Sequence, residues 1–331
     1  IEGISSNILL ARGRNLAEER IIPTNSGLKM GGKEFMIYGI RIIPKKDAAI
    51  FIDRKCFRGV VDVIRTEKMK LLVINHLDVE KYLYGVLQHE VPYYWPMEAI
   101  KAQAVVARTF ALYRMEIMQT KDFDVTCDVY SQVYGGKSGE KRRVKKAVDM
   151  TRGMILTYDG MILPAYYHSI CAGHTEDAGI VFGIDLPPLK GKPCPYCKGA
   201  RRTAWKAMFS LKDIEKHLND YGIKVKGISD IEEGRKDRSG RLETVKIKDK
   251  EGQKEIMGFK LRLALGPNSI KSTNFSIIVT PGGVVFNGKG WGHGVGMCQW
   301  GAFGMAKRHF NYKEILAYYY PETRIIKIQD R

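Results

Sequence analysis

The stretch that decides the fold is Val79–Pro96, VEKYLYGVLQHEVPYYWP. From Val79 to Leu87 its apolar residues recur at the three-and-four spacing of one helix face. Asp78 is suited to cap this helix, and Pro92 is suited to end it. The next position on the apolar face is Glu90, so a carboxyl group stands where the buried face of the helix should continue.

The Glu90 carboxyl has two interpretations at this stage. Burial among apolar neighbours raises the pKa of a carboxyl group, and a carboxyl that keeps its proton near neutral pH can act as a general acid. The alternative is that Glu90, in the last turn of the helix, reaches water or pairs with a lysine. The pattern alone leaves both open.

A second helix is predicted to begin at Pro96 and to run through MEAIKAQAVVARTFALYRMEIM. Lys101 and Arg108 lie two turns apart on it and point the same way. This cationic face has two interpretations: it holds an anionic or polar substrate in the same cleft as Glu90, or it is a solvated helix face.

Length and charge limit the class of protein. The chain has 331 residues and a hydrophobic fraction of 44%, which is enough to build a sizeable core. Its net charge of +18 favours a polyanionic partner. Nucleic acid, an anionic membrane surface and an acidic cell-wall polymer all fit. No apolar run is long enough to span a bilayer. The opening IEGISS is interpreted as a chain trimmed of a signal peptide or membrane anchor.

The order of apolar runs predicts a mixed α+β fold. Residues 1–76 are expected to form a β-rich amino-terminal region. Residues 77–331 are expected to form the main region, with the helical pair at its centre and a cleft closed by a carboxy-terminal glycine-rich β region. A highly charged stretch around residues 205–260 is predicted to be a surface insertion.

Two short ligand pairs predict a metal site. His168-x-x-Cys171 and Cys194-x-x-Cys197 have the spacing of tetrahedral zinc ligands, and a closed four-ligand site of this kind is structural. The spacing favours zinc over a disulfide. His174 is an alternative to His168, and Cys127 is an alternative to one of the thiolates.

The loop GKGWGHGVGMCQWGA, Gly288–Ala302, alternates glycines with larger residues. Trp291 offers a face for a sugar ring, while His293 and Gln299 can hydrogen-bond hydroxyls and acetamides. The alternative is a tightly packed turn in which His293 is a structural donor.

Several of these motifs together resemble the SpoIID family of bacterial sporulation and cell-wall proteins. They are HEVP at His89–Pro92, WPMEAIKAQAVVARTFAL at Trp95–Leu112, VYGG at Val133–Gly136 and the glycine-rich loop. The similarity extends from about Leu77 to Pro321. Cys298 stands where the family often has serine, so this chain departs from the family at that position.

The resemblance implies a peptidoglycan lytic transglycosylase that cleaves the bond between N-acetylmuramic acid and N-acetylglucosamine, preferably in strands stripped of stem peptides. The glutamate of the family's E-(V/M)-P motif is its catalytic acid, and Glu90 occupies that position. Lys101 and Arg108 are candidates for binding the lactyl carboxylate or ordering the glycan.

The resemblance also implies an exported protein of the periplasm or cell envelope. A second candidate function is a non-catalytic cell-wall binding protein that activates or recruits an amidase, because some relatives do so. A nucleic-acid binder with a zinc ribbon is disfavoured, since no basic segment with interleaved aromatic residues is present.

Overall fold

The computed structural model describes residues 1–4, 10, 19–45, 48–118, 122–128, 131–200 and 203–328. The fold is mixed α+β with several small sheets, which confirms the predicted class. The chain divides into two compact units: Ile1–Tyr94 with Ala111–Gly153, and Trp95–Phe110 with Met154–Arg331. Parts of the predicted β-rich amino-terminal region, including residues 5–9 and 11–18, lie outside the described residues.

The first unit is built from short antiparallel strands followed by helices. Its strands are β1 (Glu2–Ile4), β2 (Ile21–Pro23), β3 (Leu28–Met30), β4 (Lys33–Phe35), β5 (Gly39–Ile42), β6 (Ile50–Ile52), β7 (Lys55–Phe57), β8 (Val60–Arg65) and β9 (Leu71–His76). They form a four-stranded sheet in the order β1-β5-β8-β9, a three-stranded sheet β2-β3-β4 and the hairpin β6-β7. Leu28, Ile40, Val61 and Val63 form the centre of the strand core.

Three helices follow: α1 (Val79–Glu90), α2 (Met97–Ile117) and α3 (Arg142–Met150). The predicted start and end of α1 are confirmed. The Asp78 side chain accepts from the backbone N–H groups of Glu80 and Lys81, and the helix ends at Glu90 because Val91, before Pro92, is extended. The buried face of α1 carries Leu83, Val86 and Leu87.

The division into units passes through α2. Residues 102–110 are all buried, so this part of the helix has no solvated face. Three alanines and two valines among these nine residues leave room for close packing on every side. Neither α2 nor any other helix in the described ranges has the length and continuous apolar character that a bilayer span requires.

The second unit continues with strands and short helices. Its strands are β10 (Met154–Tyr158), β11 (Met161–Ile162), β12 (Tyr167–His168), β13 (Ala204–Phe209), β14 (Asp230–Glu233), β15 (Thr244–Asp249), β16 (Gly252–Met257), β17 (Phe275–Thr280), β18 (Gly283–Lys289), β19 (Met297–Cys298) and β20 (Arg324–Lys327). Its helices are α4 (Ala178–Phe182), α5 (Leu211–Asp220), α6 (Gly258–Leu265), α7 (Gln299–Ala306) and α8 (Tyr312–Tyr319). The sheets are β11-β10-β20, β13-β18-β17, β14-β15-β16 and the parallel pair β12-β19.

Residues 204–289 form an inserted subdomain with a hydrophobic core of its own. Strands β13 to β18 and helices α5 and α6 enclose Ile214, Val245, Leu261 and Phe286. The sequence predicts only a charged surface segment here because lysines and glutamates on the outer faces dominate the composition. A separate core contains four of the six cysteines together with residues of α2, α7 and α8.

Candidate functional site

Glu90 is the last residue of α1 and is half-buried. Two helical turns earlier on the same face lies Tyr82, whose pKa is raised by burial and then by the charge of Glu90. The Tyr82 hydroxyl donates to Gln132 Oε1 at 3.1 Å, and its ring stacks on Tyr134 with the centroids 5.5 Å apart. The Glu90 carboxyl therefore lies within the electrostatic influence of a mostly buried group of tyrosine and glutamine side chains.

The VYGG motif packs against the second half of α1. The Gly135 N–H donates to the Gly85 carbonyl at 3.1 Å, and a methyl group added to Gly135 would overlap the His89 imidazole. A methyl group on Gly85 would likewise overlap the Tyr134 ring. Glycines at these positions let the two backbones approach closely, so the motif supports the helix turns that carry Glu90.

Two exposed aromatic rings follow Glu90 within four residues. Tyr93 and Tyr94 are 51% and 71% exposed, and their rings make an edge contact with the centroids 5.6 Å apart. Sequence reasoning did not single them out, although two tyrosines between Pro92 and Pro96 were a visible signal. Exposed aromatic faces beside a candidate acid are suited to sugar rings.

The predicted cationic pair on α2 belongs to the second unit. Lys101 is half-buried, donates to Glu98 Oε1 at 2.7 Å and lies 5.6 Å from the centroid of the Tyr312 ring. Arg108 is fully buried and donates to the Met154 carbonyl at 3.0 Å. The alternative of a solvated helix face is therefore wrong for Arg108, and its guanidinium offers no surface to a substrate in this structure. Substrate contact by Lys101 stays a prediction.

In the glycine-rich loop only one of the three candidate side chains is exposed. Trp291 is 43% exposed and its ring lies 4.6 Å from the Lys271 ammonium. His293 is packed against Phe182, its Nδ1 accepts from the Val295 N–H, and burial together with nearby positive charge lowers its pKa well below the usual value. Gln299 is buried and its amide lies 3.4 Å from the Gln103 side-chain oxygen.

The cysteines of the predicted metal site lie together. Cys171, Cys194 and Cys197 are joined by Cys298, and the four buried Sγ atoms all lie within 4.8 Å of one another. None of the four forms a disulfide. The Cys171 and Cys197 sulfurs are 3.5 Å apart, close to the roughly 3.8 Å that tetrahedral Zn–S bonds of about 2.3 Å require. The cluster could therefore hold a metal ion such as zinc.

His168 is outside this group, which corrects the predicted ligand set. Its Nδ1 donates to the Val295 carbonyl at 3.1 Å, and burial followed by the charge of Arg241 lowers its pKa to about 3. The fourth ligand position belongs to Cys298, which comes from the glycine-rich loop 127 residues after Cys171. Neither His174 nor Cys127, the alternatives considered from the sequence, belongs to the group.

Backbone N–H groups and a tyrosine hydroxyl lie at hydrogen-bond distance from the cysteine sulfurs. The Cys298 sulfur accepts from the backbone N–H groups of Cys171 and Gly301, each at 3.3 Å. The Tyr319 hydroxyl lies 3.1 Å from the Cys194 sulfur. Donors of this kind stabilise the thiolate form that binds a metal.

Arg241 connects the inserted subdomain to the cysteine cluster. Its guanidinium is buried and donates to the backbone carbonyls of Cys171 and His174, each at 2.8 Å. Gly294 leaves the space for it, because a methyl group there would lie 2.9 Å from the guanidinium, and its φ of +91° favours glycine. The glycine-rich loop thus accommodates an arginine from the subdomain inserted before it.

A buried acid lies beside Arg241. Burial and a hydrogen bond with Asp237 raise the pKa of Glu176 to about 8, although Arg241 acts in the opposite direction. The Ser239 hydroxyl donates to Glu176 Oε2 at 3.1 Å, and the Arg241 Nε is 4.0 Å from the same oxygen. Glu176 therefore holds a proton at neutral pH in the folded chain.

The Glu176→Gln variant is expected to flatten the pH dependence of stability between about pH 5 and pH 8. The raised pKa means that the folded chain keeps a proton that the unfolded chain releases near the ordinary value of 4.5, so wild-type stability falls as pH rises through this window. Chemical unfolding midpoints at several pH values measure the effect. Glu232→Gln, at an exposed position, is the control. An unchanged slope in Glu176→Gln would contradict the assignment.

The matches to known proteins cover about three quarters of the chain. The stage II sporulation protein D of Bacillus subtilis is 30% identical over 272 residues, covering 76% of this chain and 75% of that protein. The chain belongs to the SpoIID family. The SpoIID family model, described as stage II sporulation protein, matches residues 67–158, which include Glu90 and the VYGG motif that packs against α1. The predicted family is thereby confirmed.

Further matches place this SpoIID-family chain among its relatives. An uncharacterized protein of Brachyspira hyodysenteriae is 40% identical over 257 residues, covering 77% of this chain and 68% of that protein. The amidase enhancer of Bacillus subtilis is 28% identical over 289 residues, but the match covers only 40% of that protein. Residues 197–296, which include the inserted subdomain, match a domain of unknown function, DUF8618.

Proposed function

We propose that this SpoIID-family protein is a peptidoglycan lytic transglycosylase with Glu90 as its single catalytic acid and base. The observation that carries the proposal is the position of Glu90. It ends α1 inside the segment that matches the SpoIID model, it is half-buried, and its charge contributes to the raised pKa of Tyr82. Membership of the family supports the substrate class, since relatives include the stage II sporulation proteins D and the amidase enhancer.

The proposed chemistry needs one carboxyl group. Protonated Glu90 donates to the glycosidic oxygen between N-acetylmuramic acid and N-acetylglucosamine as that bond breaks. The resulting carboxylate then accepts the proton of the muramoyl C6 hydroxyl, whose oxygen bonds to C1 and closes a 1,6-anhydro ring. The acid is thereby regenerated, and no water is consumed. Hydrolytic glycosidases instead place two carboxyl groups across the scissile bond.

Side chains near Glu90 and on the second unit are proposed to bind the glycan. Tyr93 and Tyr94 offer exposed rings to sugar faces, as does Trp291. Lys101 is proposed for the lactyl carboxylate. Buried Gln299 and half-buried His293 are proposed to act by shaping the loop that presents Trp291.

Replacing Tyr93 and Tyr94 together by alanine is expected to raise KM for glycan strands about fivefold with little change in kcat, because stacking contributes on the order of 1 kcal/mol. Steady-state kinetics on soluble strands measure the split. Tyr38→Ala is the matched control, since Tyr38 is a 49% exposed tyrosine of the same unit. A fall in kcat with unchanged KM would contradict the stacking role.

The cysteine cluster is proposed to hold one structural zinc ion through Cys171, Cys194, Cys197 and Cys298. When bound, zinc would hold together three distant chain segments through thiolate bonds. The proposed chemistry at Glu90 uses no metal.

The second candidate function is a cell-wall binding protein that activates or recruits an amidase, favoured by the match to the amidase enhancer. Under either function the protein is proposed to be exported to the periplasm or cell envelope, with peptidoglycan rather than nucleic acid as its partner.

Product analysis tests the proposal directly. The protein is incubated with glycan strands stripped of stem peptides, and the products are examined by mass spectrometry. Anhydromuramoyl ends are expected. Products with reducing ends that carry an added water would establish a hydrolase instead. Strand binding without any cleavage would establish the binding protein.

A further inference from the structure

One end of the outer face of a sheet in the inserted subdomain carries a row of polar residues. In the sheet β13-β18-β17, Trp205 and Phe286 point into the subdomain core, so the alternating residues point outward. Lys206 pairs with Asn287, and Asn287 pairs with Ser276, which places these three side chains in one row. Lys289 is paired with Ala204 and is thus a diagonal neighbour of Lys206, about 7 to 8 Å away by ordinary sheet geometry.

This row forms one wall of a groove of about 960 Å³. The other walls come from Ala172–His174 and from the turn that carries Lys236 and Ser239. All of these residues belong to the second unit. A volume of this size is sufficient for a few sugar units.

The groove is positively charged and has donors available for a ligand. Lys206, Lys236 and Lys289 line it, and none of its lining residues in the described part of the chain is an aspartate or a glutamate. Lys236 pairs with Glu233, but within the described ranges neither Lys206 nor Lys289 has a carboxylate at ion-pair distance.

We propose that this groove binds a carboxylate-bearing, N-acetylated glycan strand, as an attachment site separate from Glu90. Lys206 and Lys289 attract the carboxylates, while the amides of Asn274 and Asn287 are suited to acetamide and hydroxyl groups. That the polymer is a peptidoglycan strand rests on the proposed function. The charge and the hydrogen-bonding groups of the groove are observed independently of that function.

The lining disfavours a nucleic acid. None of its described lining residues is an arginine, the side chain that recognises phosphate in a bidentate geometry. Its two large aromatic residues, Trp205 and Phe275, are buried and so provide no exposed platform for stacked bases. Lysines next to amides and hydroxyls match an acidic sugar polymer better.

The test measures binding of fluorescently labelled, peptide-free glycan strands to the full chain carrying Glu90→Gln, so that the strands are not cut. Adding Lys206→Gln and Lys289→Gln is expected to weaken binding about tenfold, because two attractive charges are lost. Lys212→Gln with Lys216→Gln is the matched control, since both are exposed lysines of the same subdomain. Strands whose carboxyl groups have been reduced to alcohols should bind the unmodified groove about tenfold more weakly.

Several results would overturn the proposal: equal binding by the two double variants, equal binding of carboxyl-reduced strands, or tighter lysine-dependent binding of single-stranded DNA. Thermal unfolding of both double variants confirms that they fold. The two proposals can fail separately. If strand binding depends on the two lysines but the Glu90-containing protein gives no anhydromuramoyl products, the transglycosylase proposal is wrong and the groove proposal stands. If such products form but binding does not depend on the lysines, the groove proposal is wrong and the transglycosylase proposal stands.

Discussion

Replacing Glu90 by glutamine is expected to lower kcat for release of anhydromuramoyl products by about a thousandfold or more, with little change in strand binding. Glutamine keeps the shape of the side chain but can neither give a proton to the glycosidic oxygen nor accept one from the C6 hydroxyl. Because one group carries out both transfers, no second carboxyl is available to replace it. Quantitative mass spectrometry of the released ends measures the rate.

The control for this substitution is Glu67→Gln, which removes an exposed carboxyl group of the same unit. It should retain the wild-type rate. The helix that carries Glu90 is capped and packed independently of that carboxyl, through Asp78 and the VYGG glycines, so the variant should fold. Turnover by Glu90→Gln within tenfold of wild type would rule out the proposed mechanism.

The cysteine cluster gives the second large expected effect. Purified protein should contain about one zinc ion per chain, and Cys197→Ser should lose it and unfold at a temperature lower by about 10 °C or more. Structural zinc bound by thiolates contributes many kcal/mol to folding, and a serine hydroxyl is a poor replacement at a buried thiolate position. Elemental analysis and thermal unfolding measure the two quantities.

Cys127→Ser is the matched control because this thiol is exposed and outside the cluster. It should keep both the metal and the stability of the wild type. A second comparison separates the two candidate ligand sets: Cys298→Ser should lose the metal, whereas His168→Gln should keep it. Metal-free protein in which cysteines 171, 194, 197 and 298 resist alkylation after denaturation would establish disulfides instead.

The local features of the fold were predictable from the sequence. The spacing of apolar residues, the Asp78 cap and Pro92 determine α1, and each acts within a few residues along the chain. Glu90 was recognisable for the same reason, since it interrupts the apolar face of the helix. The pairs around Cys171 and Cys194 were visible as short spacings, and the structure brings three of their four residues together.

The long-range features were not predictable in the same way. Cys298 has no neighbouring cysteine to mark it, so only the folded chain shows that it completes the cluster. The burial of Arg108 depends on packing around all sides of α2, which spacing on one helix face does not reveal. The core of the inserted subdomain was hidden because alternate residues such as Val245 and Ile247 are separated by lysines that face outward.

The pairing of Ala204 with Lys289 shortens the path along the chain between Cys298 and the other three cysteines of the cluster. Before folding, a loop of about 100 residues separates Cys197 from Cys298. Once the inserted subdomain has folded around its own core, its two ends are adjacent, and the effective loop shrinks to about sixteen residues. By loop-closure entropy this lowers the cost of joining the thiols by about 1.6 kcal/mol. Folding of the subdomain before the cluster would therefore favour the joining of Cys298 to the other three cysteines.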